Sequence, residues 1–214
     1  MNLDEFSAHR RDETDLVFSR RHTAVLVIDM LNDFCVDGGA MVLPGADRLL
    51  APQNDVTDAV RETGGVVAFV IDSHRPGLRR DREFLKRTPH CIEGTWGAEV
   101  MDGLNREAQD LRILKRRFSG FFNTDLDLTL KDMEIDTVIA MGVVTNICVR
   151  STVHDAFFHG YRVVVPEDCV AATGPREQES SLYDIGTHFG LVSGSDDVVR
   201  GLRDGTPVVN RITD

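Results

Sequence analysis

The chain has 214 residues, 42% of them hydrophobic and 28% charged, with a formal net charge of −11, which suits a single globular domain with a large core. That acidity excludes a protein that tracks nucleic-acid phosphates or rests on an anionic membrane, since both need a basic face. No apolar run approaches the roughly 20 residues of a membrane span, the polar start lacks the apolar stretch of an export signal, and the four scattered cysteines (Cys35, Cys91, Cys148, Cys169) fit no extracellular scaffold, so a cytoplasmic protein with free thiols is expected.

One domain spanning 1–214 is the economical reading, with residues 1–22 as a charged N-terminal extension. "TAVLVID" (23–29) is almost wholly apolar, as a strand buried on both faces requires. "DRLLAPQNDVTDAVRETG" (47–64) has helical spacing and stops at paired glycines; "VVAFVID" (66–72) is the second strand, and an irregular stretch runs to about 109. "DLRILK" (110–115) is the third strand, followed by a helix over 125–134; "DTVIAMG" (136–142) is the fourth, followed by a helix over 146–160. "YRVVVPED" (161–168) is the fifth, a helix covers 175–190, and "GLVSG" (190–194) reads as a sixth, edge strand. Such alternation predicts parallel strands with right-handed crossovers, hence a three-layer α/β/α sandwich around a six-stranded, mostly parallel sheet.

In an open sheet of this kind, ligands bind beyond the carboxyl ends of the strands. Asp29, Asp72 and Lys115 each end a strand, and Cys148 lies just past another. All but three of the 24 basic residues are arginines, so a lysine at a strand end stands out; its compact charge can sit close to a thiolate. A cysteine beside a cation at a helix start is expected to have a low pKa. With Asp29 to accept and return a proton, the group has the logic of covalent catalysis, and the turn "GVVTN" offers backbone N–H groups for an oxyanion. Taken singly, each residue is more ordinary: an Asp capping a turn, a solvated Lys, a buried Cys. Their common placement favours chemistry.

"VIDMLNDFCVDGGAMVLPGAD", "PHCIEGTWGAE", the Lys115 strand end and "GVVTNICV", in that order over residues 23 to 195, resemble the isochorismatase-like cysteine hydrolases, and their nicotinamidase branch in particular. The resemblance implies a six-stranded parallel sheet, a catalytic triad of Asp29, Lys115 and Cys148, and a cis peptide between Val143 and Val144 that directs the N–H groups of Val144 and Cys148 at one oxygen. It implies an amidohydrolase acting on a small carboxamide, nicotinamide-like, through a Cys148 thioester. Maleamate, an N-carbamoyl compound and a vinyl ether are alternative substrates, and a non-catalytic binding member is a third reading.

Asp72 and His74, two residues apart, with His90 in the long loop, present a carboxylate and imidazoles suited to zinc, iron or manganese, and by resemblance these three are metal ligands. The branch carries a further loop histidine that "DSHRPGLRRDREF" lacks, leaving Asp81, Glu83 or water for that place. No organic cofactor is expected. By resemblance Phe34 and Arg87 belong to the substrate pocket, with Phe118 and Phe121 as further aromatic candidates; Arg87 stands where the branch usually has tryptophan, and an arginine there prefers a carboxylate-bearing substrate. A homo-oligomer, dimer or higher, is expected, because the helix over 146–160 carries Val149, Val153, Ala156, Phe157 and Phe158, more apolar surface than one stripe needs.

Overall fold

The computed structural model describes residues 14–212; most of the N-terminal extension, residues 1–13, lies outside the described residues. Four strands stand where the sequence put them, within a residue or two: β2 (Thr23–Ile28), β3 (Val66–Asp72), β4 (Leu111–Lys115) and β5 (Thr137–Val143). With β6 (Arg162–Pro166) and β8 (Leu191–Ser193) they form a sheet of order β4-β3-β2-β5-β6-β8, in which every pairing is parallel. A seventh strand, β7 (Val170–Ala171), pairs with the end of β5; two residues leave no periodicity to read. The remaining described part of the extension is tied down: β1 (Asp15–Leu16) pairs antiparallel with β9 (Val208–Val209), and Leu16 and Phe18 are buried.

The central strands β2 and β5 are buried along their whole length, which is why both read as unbroken apolar runs. After the short α1 (Asn32–Cys35), helices α2 (Leu50–Glu62), α3 (Leu126–Asp132), α4 (Arg150–Phe158) and α5 (Pro175–Asp184) follow β2, β4, β5 and β7; the first three of these four contribute apolar stripes to the core, and α5 contributes Leu182. Pro52 lies in the first turn of α2, where its missing N–H costs no helical bond. A last helix, α6 (Ser195–Asp204), had no place in the sequence reading although its signals are present: Asp196 and Asp197 in the first turn, and Gly205 closing it at φ 76°. Among the described residues no helix is long and apolar enough to cross a membrane.

One glycine sets the approach of the two central strands. Gly142 has φ 120°, and a Cβ there would lie 2.0 Å from the Ile28 carbonyl oxygen, so no other residue fits without moving the backbone. Gly142 is paired in register with Ile28. The closeness brings the turn after β5 against the residue after β2, which is Asp29.

The surface of α4 divides into two parts. Val149, just before the helix, Val153 and Ala156 are buried within this chain, whereas Phe157 is 46% and Phe158 70% exposed. These two rings gather with Phe189, at centroid distances of 5.5 and 6.3 Å.

Candidate active site

Four neighbouring strands each deliver one reactive group to the same edge. Asp29 leaves β2 in the left-handed region, φ 53°, which aspartate tolerates better than most residues. The turn is fixed on both sides: the Asp29 N–H donates to the Val70 carbonyl at 2.9 Å, and its own carbonyl accepts from Leu31 N–H at 2.8 Å. Its Oδ1 accepts the Asp72 N–H at 2.8 Å, so Oδ2 points at the Lys115 Nζ, 2.7 Å away. Lys115 is completely buried. Its Nζ lies 3.5 Å from Asp72 Oδ1 and 3.7 Å from Cys148 Sγ, so one ammonium joins two carboxylates and the thiol.

Cys148 sits in a π-helical turn, Thr145–Val149, that feeds α4; such widened turns recur at functional sites. The turn is anchored below by Thr152 Oγ1, which donates to the Cys148 carbonyl at 2.8 Å and accepts the Gly120 N–H at 3.0 Å. Asn146 ties it laterally to Thr173, donating to the hydroxyl at 3.2 Å. The Val143–Val144 peptide is cis.

The electrostatics correct one expectation. The sequence leads to a low-pKa thiol at Cys148; in the structure its pKa lies well above the ordinary value. Burial is the main cause, and Asp29 and Asp72 add to it, while Lys115 alone pulls downward. The pull of the lysine is outweighed by burial together with the two carboxylates gathered around the same ammonium. Burial likewise pushes Asp29 up, to about 6, against the pull of Lys115. Asp72 is held well below the usual carboxylate range, because the Lys115 charge and its histidine partners outweigh burial. At neutral pH the resting site is therefore a thiol beside a carboxylate and an ammonium: a nucleophile with its base in place.

A cavity of about 270 Å³ opens onto the thiol, with Cys148, Val143 and Val144 at its base. Its walls are Phe34, Met41, Val42, Leu43, Pro44 and Ile147, with Thr173 and Arg87 as its polar members. Phe34 and Arg87, expected in the pocket, line this space. Phe118 and Phe121 do not: Phe118 is 42% exposed, and Phe121 is buried against His159 and Tyr161 at ring distances of 5.3 and 5.8 Å. The aliphatic wall comes from "MVLP" (41–44), a stretch inside the motif that the sequence reading assigned no role; four apolar residues in a loop were the available sign.

Beside the cavity, Asp72, His74, Glu83 and His90 turn ligand atoms to one point, all within 4.8 Å of each other and all four residues buried. The Nε2 atoms of His74 and His90 lie 3.3 and 3.4 Å from Asp72 Oδ2, and Glu83 Oε2 lies 3.8 Å from His74 Nε2. The outer nitrogens are engaged: His74 Nδ1 meets Asp81 Oδ2 and His90 Nδ1 meets the Thr88 carbonyl, each at 2.7 Å. Both outer partners are acceptors, so each Nδ1 carries a proton and each Nε2 is turned inward toward Asp72, the orientation in which metal-binding histidines are held. Buried Nε2 of His74 and Oε1 of Glu83 make no hydrogen bond. Two imidazoles and two carboxylates with orphaned inward atoms fit a divalent cation. Of the two acids left open by the sequence, Glu83 joins the cluster and Asp81 orients His74.

The phenyl ring of Phe34 stands 5.3 Å from the His90 ring, so cavity and cluster share a wall. Asp33, next to it, accepts the Cys91 N–H at 2.7 Å and the Ala40 N–H at 3.0 Å, and Asn32 donates to the Trp96 carbonyl at 2.9 Å. The "DMLNDF" motif thus pins the loop that carries His90.

Over most of its length the chain is similar to known proteins. The family model described as the isochorismatase domain matches residues 23–197. A ureidoacrylate amidohydrolase RutB of Enterobacter sp. (strain 638) is 32% identical over 203 residues, covering 83% of this chain and 88% of its own. Among solved structures, a cysteine hydrolase from Pseudomonas syringae pv. phaseolicola 1448A superposes with a TM-score of 0.83 at 28% identity, over 90% of this chain and 98% of that one. A pyrazinamidase of Pyrococcus horikoshii in complex with zinc superposes with a TM-score of 0.75 at 28% identity, over 81% and 99%.

Proposed function

Since the chain belongs to the isochorismatase family, we propose that it hydrolyses the C–N bond of a small carboxamide to an acid and ammonia through a thioester on Cys148. The observation that carries this reading is that Cys148, which lines an apolar cavity, has behind it a buried Lys115 ammonium 3.7 Å from its sulfur and 2.7 Å from Asp29. The relatives named as an amidohydrolase and a pyrazinamidase are also amide-cleaving enzymes.

As the Cys148 sulfur attacks the carbonyl carbon, its proton passes to Asp29, whose raised pKa suits a base working near neutrality. The carbonyl oxygen becomes an oxyanion, held by the N–H groups of Val144 and Cys148, with Lys115 offsetting the added charge. Asp29 returns the proton to the departing nitrogen, the C–N bond breaks and ammonia leaves. Water, deprotonated by the same carboxylate, then attacks the thioester; the carbon–sulfur bond breaks, and the sulfur recovers the proton. One amide and one water yield one acid and one ammonia, with Asp29 and Cys148 restored.

Asp72, His74, Glu83 and His90 would hold a divalent cation, and the zinc-bound pyrazinamidase is a precedent among its relatives. A cation there supplies Lewis-acid polarisation of a substrate heteroatom. Purified protein is expected to carry zinc, iron or manganese and to lose it in the His74→Ala variant; elemental analysis finding no transition metal even after reconstitution would refute the site.

Within this reading the nicotinamide-like substrate competes with maleamate and N-carbamoyl compounds. Ammonia release from a panel of nicotinamide, pyrazinamide, maleamate and N-carbamoyl acids tests the reading. Vinyl-ether hydrolysis would release no ammonia, and a non-catalytic member would turn over nothing. We further propose a homo-oligomer joined through the exposed Phe157 and Phe158 of α4. Light scattering at moderate salt is expected to give a multiple of 23.8 kDa, reduced in Phe158→Asp; a wild-type mass of one chain at micromolar concentration would sink this.

A further inference from the structure

We propose that the substrate is an anion, a short amide or ureide whose far end is a carboxylate, and that Arg87 binds that carboxylate at the cavity mouth. This rests on the amidohydrolase reading above and adds the class of molecule it takes. Arg87 is the only charged residue among those lining the cavity. Its Nη1 donates to the Lys86 carbonyl at 3.0 Å, and no carboxylate pairs with it among the described residues. At the other end, the charge is balanced differently. Lys115 is occupied by Asp29 and Asp72, so an anionic group placed near Cys148 would face two carboxylates. The polarity of the cavity therefore fixes the substrate's direction: amide carbon to the thiol, anion to Arg87. A planar guanidinium matches a planar carboxylate with two parallel hydrogen bonds, and about 270 Å³ leaves room only for a small acid between.

A second observation points the same way. The loop from 75 to 87 exposes Arg75, Arg79, Arg80, Arg82, Lys86 and Arg87, while its two acids, Asp81 and Glu83, are each 7% exposed and turned to the histidines. In a chain of net charge −11, the segment beside the cavity thus presents only positive charge to solvent. Such a patch concentrates small anions and raises their rate of encounter, an effect that salt screens.

The test is binding to the Cys148→Ala protein, which needs no turnover and so is separable from the amidase reading, whose own failure would show as absent ammonia release by the wild type. Succinamate and N-carbamoyl-β-alanine are each compared with the neutral analogue in which an isopropyl group replaces the carboxylate. Charge-assisted hydrogen bonds of this kind imply roughly a tenfold or larger preference for each acid. The preference is expected to shrink as salt rises, to collapse on adding Arg87→Gln, and to survive in part with Arg87→Lys. Equal binding of acid and analogue, or a preference that Arg87→Gln leaves intact, overturns the proposal.

Discussion

Cys148→Ala is expected to lower ammonia release by roughly 10⁴-fold or more, since removing the nucleophile from a concerted site leaves only binding and electrostatic assistance. The fold is expected to persist. Cys148 is 7% exposed and its side chain is small, so its loss lies within the range of an ordinary core truncation, about 1–2 kcal/mol. Intact-mass measurement after rapid quenching separates covalent catalysis from other routes: the wild type should show the mass of an acyl adduct and the variant should not. Burial raises the pKa of all four thiols, so access decides: labelling by iodoacetamide should reach Cys148 first, because it alone of the four lines the cavity and has a carboxylate base and an ammonium beside it. The assignment fails if Cys148→Ala keeps near wild-type turnover.

Asp29→Asn and Lys115→Met carry the second large effect, a fall in kcat of about 10²–10⁴ for each, the range of acid–base assistance. Their structural consequences differ. Asp29→Asn keeps the shape and its Oδ1 contact to the Asp72 N–H. Lys115→Met leaves Asp29 and Asp72 buried without their counter-charge, which costs on the order of 3–5 kcal/mol, so its melting temperature must be read beside its rate. The pH profile distinguishes a base from a mere neighbour. Asp29 is the active base when ionised, and its pKa is raised to about 6. Wild-type kcat/KM should therefore fall as pH drops through about 6, and that acid limb should vanish in Asp29→Asn. Because both groups serve one proton path, losses in the double variant should be far from additive; additive losses would count against it.

The strand ends were legible because each reactive residue closes an apolar run, and a parallel sheet aligns such ends along one edge. Asp29, Asp72 and Lys115 are found this way from sequence alone, and the glycine-stopped run before Cys148 marks the fourth. The thiol's electrostatics were not legible. A cysteine near a lysine suggests a thiolate, but the outcome depends on what else that lysine touches, and only the three-dimensional arrangement shows Asp29 and Asp72 both within 3.5 Å of it. Phe118 and Phe121 show the opposite limit: aromatic residues close in sequence to Lys115 do not line the cavity, since a loop gives no periodicity from which to infer direction. Glu83 and Asp81 could be nominated but not told apart, because two acids two residues apart in an irregular loop share every local signal.

The position of β4 has a further consequence. It is one of the two edge strands of the sheet and pairs only with β3, over Leu111–Lys115, so its ladder is open to local fluctuation on one side. Lys115 is its last residue. Fraying of this edge would withdraw the buried Lys115 ammonium from between two carboxylates, turning a small local opening into a large electrostatic imbalance in the core. Hydrogen exchange of the β4 amides and loss of activity on warming should then follow one opening event, below global unfolding, making the sheet's margin the kinetic weak point of the enzyme's centre.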